Sequence, residues 1–338
     1  MYRSTYLHHL YISQQTRSAL MELILLFIFL LLLPIFVLLR RRKQPPGPPA
    51  VPLLGSLPFL DISKGVLNWS LDPHITAHRI AAVTIGTKVF HILNDFHLCK
   101  DLFEREEFNG RPLDKFLLAH RFNHPVPLGI IHTEGAHWST QRRFSLKTLK
   151  DFGFGRKSIE ESIHFEVDEM IDSTFSQSSD ILLQNDFNIP IINVLWQMVA
   201  NKRFLATKPE DVDLIEGVSY MFENGRKRDL MPAFVQNLLP ASVHEYTLTG
   251  KRIRVMAGIR RHLVKEVEEH IGELDPENPK DFIDVYLASI GKQGGQDLNV
   301  LDLTDCIWDF FMAGTETSST TLKWIILYLV LHQSVQDR

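Results

Sequence analysis

Glu316 and Thr317 stand side by side in a polar stretch between two apolar runs, and an acid next to an alcohol can move protons. A run read as apolar, Trp308 to Met312, leads into Ala313-Gly314-Thr315-Glu316-Thr317-Ser318-Ser319, and a second apolar run, Trp324 to Leu331, follows. Glu316 can exchange a proton with water, while the Thr317 hydroxyl both donates and accepts. No proline interrupts residues Leu303 to Leu331, and their apolar positions recur three or four apart, so the spacing predicts one long helix. A carboxylate and several hydroxyls in mid-helix are costly to bury unless they are hydrogen-bonded or meet water. Thr317 can bond back to the carbonyl of Ala313, four residues earlier, which would loosen the ladder and open a groove. Gly314 on the same turn has no side chain, so Ala313 and Gly314 would leave room for something small or flat.

A second pair with chemical reach is Trp138 and Arg142, one helical turn apart in a helix predicted from Ala136 to Leu149. An indole N–H beside a guanidinium can grip an anion, because guanidinium meets carboxylate bidentately. Read alone, the same pair is a surface cation stacked on tryptophan.

These pieces resemble the cytochrome P-450 superfamily. Ala313-Gly314-Thr315-Glu316-Thr317, after the pair Phe310-Phe311, is similar to the oxygen-activating stretch of that family's central helix. Pro45-Pro46-Gly47-Pro48-Pro49 resembles the proline hinge of microsomal members, and Trp138 to Arg142 their W-x-x-x-R. Arg142-Arg143-Phe144-Ser145-Leu146-Lys147-Thr148-Leu149, running into Asp151-Phe152-Gly153-Phe154-Gly155, is similar to the drug-metabolising branch. The resemblance covers residue 45 to the end and implies a mainly α fold with a small β portion. It also implies a haem-dependent monooxygenase inserting one atom of O2 into a lipophilic substrate. Glu316 and Thr317 would be catalytic as a proton relay; Trp138, Arg142, Ala313 and Gly314 would hold haem b. Phe116 and Phe122, in a loop from Arg111 to Glu134, would cover the substrate pocket, with Phe310 and Phe311 as walls. The implied partners are an NADPH-dependent flavoprotein reductase, or cytochrome b5, as electron donor.

The family's axial thiolate loop, Phe-x-x-Gly-x-Arg-x-Cys-x-Gly, follows the central helix and does not occur in these residues. Cys99 and Cys306 are the two cysteines; both read as small hydrophobes, and no metal ligand is assigned. The expectation is a P-450-like fold incomplete at its C-terminus; the alternative function is a non-catalytic, truncated membrane protein unable to ligate haem iron.

The supporting elements are read more simply. Two cysteines exclude a disulfide framework, and a formal charge of −4 gives no support to nucleic-acid binding. Leu23 to Leu39 is an apolar stretch of 17 residues followed by Arg40-Arg41-Arg42-Lys43. At ~1.5 Å per residue it spans about 25 Å, close to a hydrocarbon core of ~30 Å. A cleaved signal peptide competes, but its apolar region would be shorter and end in small residues. The expected organisation is a lumenal segment 1–22, an anchor 23–39, a basic and proline-rich hinge 40–50, and a cytoplasmic body 51–338 on the endoplasmic reticulum. Arg3 and Arg17 argue mildly against that orientation. A second span over Trp308 to Leu331 is disfavoured by Glu316 and Lys323.

Further helices are expected at Leu71 to Ile80, Ser158 to Phe175, Asn188 to Phe204, Gly250 to His270 and Asp281 to Ile290. A hairpin is expected from Ala81 to Ile85 and Val89 to Leu93. The chain departs from the family at the join before the first of those strands, where it lacks a Tyr-Gly turn.

Overall fold

The computed structural model describes residues 44–51, 54–61, 71–86, 88–112, 121, 124–175, 187–225, 248–292 and 297–337, with 21, 27, 28 and 32 as isolated positions. Among the described residues no helix is long and apolar enough to cross a membrane, which removes Trp308 to Leu331 as a span. Most of Leu23 to Leu39 lies outside them. The chain divides into two compact units, meeting in sequence at Arg105 and Glu106.

The first unit is built on a hairpin. Strands β1 (Ile80–Ile85) and β2 (Lys88–Leu93) pair antiparallel from Ile80 opposite Leu93 to Ile85 opposite Lys88. A two-residue connection needs a positive φ, and Gly86 supplies it at 60°. Instead of one helix from Leu71 to Ile80, the chain forms only α1 (Pro73–Thr76), capped by Asp72, before β1 begins. The β-branched run that follows favours the strand. Asn94 secures the join by donating to the carbonyls of Ile75 and His78 at 2.8 and 3.0 Å. The proline segment is packed rather than free: the Pro46 carbonyl accepts from Ala82 N–H at 2.8 Å, and a Cβ on Gly47 would collide with the Ala82 carbonyl. Helix α2 (Phe96–Phe103), capped by Asp95, completes this unit and carries the half-buried Cys99.

The second unit is helical. Its elements are α3 (Gly135–Asp151), α4 (Glu160–Met170, extended by a wider turn over Ile171–Phe175), α5 (Asn188–Ala200) and α6 (Pro209–Gly225). These are followed by α7 (Leu248–Glu273), α8 (Phe282–Ser289), α9 (Val300–Leu331) and a terminal turn α10 (Gln333–Gln336). Helix α5 stops earlier than its apolar pattern suggests, because Asn201 adopts a left-handed φ of 50°. Asn193 then ties down the returning chain, accepting from Phe204 N–H at 2.7 Å and donating to the Phe204 carbonyl at 3.0 Å. The core gathers Ile192, Trp196 and Val199 of α5, Met256, Ile259 and Leu263 of α7, and Leu303, Ile307 and Phe311 of α9, all at most 1% exposed. Burying each such side chain contributes roughly 1.5–3 kcal/mol before entropy is subtracted.

Helix α9 is the axis of this unit, and its first half is buried all round from Asp302 to Asp309. Three of those residues are carboxylates. Asp309 accepts from the backbone N–H groups of Ile130 and Ile131 at 2.7 and 2.9 Å and from Arg121 at 2.5 Å. Asp305 meets Arg121 at 3.4 Å and Arg260 of α7 at 3.2 Å. Asp302 accepts from Gly129 N–H at 3.1 Å and lies 3.0 Å from His137 Nε2. The described part of the loop preceding α3 is therefore fastened to α9 through its own backbone. Gly129 permits this: its φ is 77°, and a Cβ there would press on Asp309 and the Asp305 carbonyl. Burial pushes the Asp305 carboxyl up to about 6 against the pull of Arg121 and Arg260, so it is still mainly ionised at neutral pH.

Two outcomes test this packing. Asp309→Asn should lower unfolding free energy by about 3–5 kcal/mol in urea denaturation, since it leaves buried Arg121 without its closest anion; a loss under ~1 kcal/mol would contradict the role assigned to the pair. The second concerns His270 near the end of α7, bonded to the Glu266 carbonyl at 2.8 Å and to Asp281, the N-cap of α8, at 3.1 Å. Burial opposes its charge, but the bonds and charges of Asp281 and Glu266 prevail and push it up to about 9. A folded value above the ordinary 6.5 means stability present below pH 6.5 and lost as pH rises through about 9. The native chain should lose roughly 2–3 kcal/mol across that window, and His270→Gln should flatten the slope.

Candidate functional site

The candidate residues fall on two helices. On α9 the predicted back-bond is present: Thr317 Oγ1 donates to the Ala313 carbonyl at 2.7 Å. It is one of several, for Thr304, Thr315 and Thr321 bond back to the carbonyls of Val300, Phe311 and Thr317. The helix runs unbroken through all of them. Thr317 is distinguished from buried Thr315 by exposure. Ala313 and Thr317 emerge together, one turn apart, and the exposed face continues through Thr321, Trp324 and Tyr328.

Gly314 serves a different neighbour from the one expected. Its bare side faces α5, where a Cβ would overlap Cδ2 of Leu195, so the space read as open is filled by a helix crossing. A glycine that admits a ligand and one that admits a neighbouring helix look alike in sequence.

Glu316 is half-buried and points away from the Ala313 and Thr317 face. Its carboxylate accepts from Ser219 of α6 at 3.0 Å and from Thr320 at 3.1 Å. Ser219 in turn accepts from the Asn188 amide at 2.7 Å. Neither Ser219 nor Asn188 carries a sequence signal, because their partner on α9 is remote in the chain and only the helix packing unites them.

The aromatic candidates separate. Phe311 is fully buried, 5.4 Å from the ring of Trp196 and 5.6 Å from that of Phe204, and its side chain belongs to the core. Phe310 keeps partial exposure and meets Phe282 edge-on at 5.2 Å. Phe116 and Phe122 lie outside the described residues.

Trp138 and Arg142 lie together on α3, as their spacing predicts. The inner face of this helix buries Gln141, Ser145, Thr148 and Leu149. Gln141 accepts from Tyr286 at 2.9 Å and from the Cys306 thiol at 3.6 Å, locking α3 to α8 and α9. That fixes the flank: Trp138 is half-buried, Arg142 is exposed, and the guanidinium carbon stands 5.5 Å from the indole centroid. The tryptophan holds the cation in place by stacking. Among the described residues Arg142 makes no ion pair, which leaves its donors available to an incoming anion.

Cys306 is fully buried, and burial, reinforced by Asp309, Asp302 and Asp305, drives its thiol well above the ordinary range. It remains a protonated core side chain, as read from the sequence. His270, Asp281 and Asp284 form a cluster whose donor atoms lie within 4.8 Å of one another. Their hydrogen bonds join α7 to α8: besides the His270 to Asp281 bond, Asp281 accepts from Asp284 N–H at 2.9 Å, and Asp284 from Lys280 N–H at 3.0 Å.

The family model described as Cytochrome P450 matches residues 45–338. The chain is 31% identical over 306 residues to cytochrome P450 2C28 of Mesocricetus auratus, covering 86% of this chain and 59% of that protein. It is 28% identical over 308 residues to cytochrome P450 2L1 of Panulirus argus, covering 86% and 61%. To cytochrome P450 2B4 of Oryctolagus cuniculus it is 29% identical over 305 residues, covering 87% and 60%. The chain thus spans about three fifths of the length of the curated relatives it matches. With its motifs, helical unit and small sheet in agreement, the chain belongs to the cytochrome P450 superfamily, in the microsomal drug-metabolising-type branch.

Proposed function

We propose that the chain forms the oxygen-facing and substrate-facing side of a haem-dependent monooxygenase acting on a lipophilic substrate. The observation that carries this is the exposed pair Ala313 and Thr317, at the point where α9 emerges from the segment buried from Asp302 to Asp309. At that point the helix presents a small side chain beside a hydroxyl already aligned by its bond to Ala313, at the start of a face that stays exposed as far as Tyr328. We take that surface as the one that meets a flat macrocycle, and Arg142, stacked on Trp138 and without an ion pair among the described residues, as the donor to a carboxylate. Trp138 and Arg142 would hold that carboxylate, with Ala313 against the macrocycle's face. Gly314 contributes indirectly, by letting α5 support α9 from behind.

Haem, when bound, supplies the iron chemistry by which O2 and two electrons hydroxylate a C–H bond. The net reaction also consumes two protons and releases one water, and proton supply is the part this chain's residues perform. Thr317 donates to or accepts from water at the exposed face, exchanging its bond to the Ala313 carbonyl for one to the incoming molecule. Glu316, on the adjacent position, is the acid that replenishes it. Phe310 contributes an apolar wall, and Phe116 and Phe122 lie in the loop assigned to cover the substrate. Electrons come from an NADPH-dependent flavoprotein reductase or cytochrome b5. The protein is held on the endoplasmic reticulum membrane by residues 23–39, with the cationic cluster and body on the cytoplasmic side.

Two experiments test the assignment. In the full-length, haem-containing protein supplied with reductase, Thr317→Ala should keep haem content while diverting reduced oxygen to peroxide. Arg142→Ala should instead lower haem retention roughly tenfold or more, the cost of one charge-assisted bond. Normal coupling in the first, full retention in the second, or an exchange of the two phenotypes would overturn the roles. For the anchor, the intact chain should resist alkaline carbonate extraction from membranes and deletion of residues 1–43 should release it; full solubility of the intact chain would refute the anchor.

A further inference from the structure

We infer that Ser219 and Asn188 are positioning residues for Glu316, holding the acid against α6 so that it reaches the Thr317 side only when the Ser219 bond is given up. The inference rests on the reading of Glu316 and Thr317 as a proton-handling pair and specifies what controls the acid. The sense of the chain of bonds follows from the donors. The Asn188 nitrogen has only hydrogens to offer, so Ser219 Oγ accepts at 2.7 Å. A serine hydroxyl has one hydrogen, and that hydrogen is directed to Glu316 Oε2 at 3.0 Å. The other carboxylate oxygen is taken by Thr320 Oγ1 at 3.1 Å. Asn188 is fully buried and Ser219 is 4% exposed, so water does not compete readily for either.

Thr317 stands about 100° further round α9, on the exposed face, with its own hydroxyl turned to Ala313. Acid and alcohol are therefore adjacent in sequence but engaged in opposite directions. The three residues that fix the acid lie at the start of α5, in α6 and one turn on in α9, so displacement of α6 from α9 releases Oε2, while the Thr320 bond to Oε1, within α9, exchanges in place.

The test uses the 338-residue chain without haem or turnover. Glu316 is labelled with a water-soluble carbodiimide and an amine, read by mass spectrometry of its peptide, with exposed Glu210 as internal control. Ser219→Ala should raise Glu316 labelling roughly tenfold, the effect of losing one hydrogen bond to a charged group. Ser219→Thr, which keeps the hydroxyl, should restore it, and amide exchange across α6 should stay as in the parent. Should Ser219→Ala fail to fold, Ser219→Cys keeps the volume with a weak donor and carries the same expectation. Unchanged labelling, or a rise matched by general loosening of α6, would overturn the inference. Because no oxygen chemistry is involved, that failure would leave the Thr317 assignment standing, and normal coupling in Thr317→Ala would leave this result untouched.

Discussion

Three carboxylates buried on one helix are the constraint around which the second unit is arranged. Asp302, Asp305 and Asp309 are each at most 2% exposed. Removing a carboxylate from water costs several kcal/mol even after relaxation, so each must be met by charge or by backbone donors. Arg121 and Arg260 supply the charge; Gly129, Ile130 and Ile131 supply the N–H groups. The stretch from Gly129 to Thr133 is consequently held at α9 without needing regular secondary structure, and α3 starts from a fixed place. The position of Trp138 and Arg142 follows from that start and from the Gln141 lock.

The same helix changes character along its length. From Asp302 to Asp309 it is charged yet buried, because its three carboxylates are met by charge or by N–H donors. From Ala313 onward one side is left open, and Thr317 sits at the transition. Packing energy concentrated in the first half can support a second half that binds something else. Glu316 lies between the two regimes, linked by Ser219 to α6 while its neighbour faces outward.

Much of this was legible in the residues, and the exceptions share a cause. Local patterns located α9, α3 and the hairpin, and the Thr317 to Ala313 bond follows from spacing four residues apart. The run from Trp308 to Met312 reads as apolar although it contains Asp309, whose partners lie 178 to 188 positions upstream. Periodicity ranks residues by hydropathy and is blind to a buried charge satisfied by a distant loop. Gly314 reads as open space for the same reason: nothing local announces Leu195. At the join before β1, the β-branched sequence from Ile80 prevailed over the helical pattern ahead of it.

In the proposed arrangement the face of α9 bearing Ala313 and Thr317 receives the flat cofactor. The most direct measurement adds ferric haem to the chain carrying carbon-13-labelled alanine and threonine methyl groups, and follows paramagnetic broadening by NMR. Ala313 and Thr317 should broaden first and most strongly, ahead of Thr315 on the buried side, and Arg142→Ala should shift the effect to higher haem concentration. Broadening that spares Ala313 and Thr317, or that reaches Thr315 before them, would contradict the assignment.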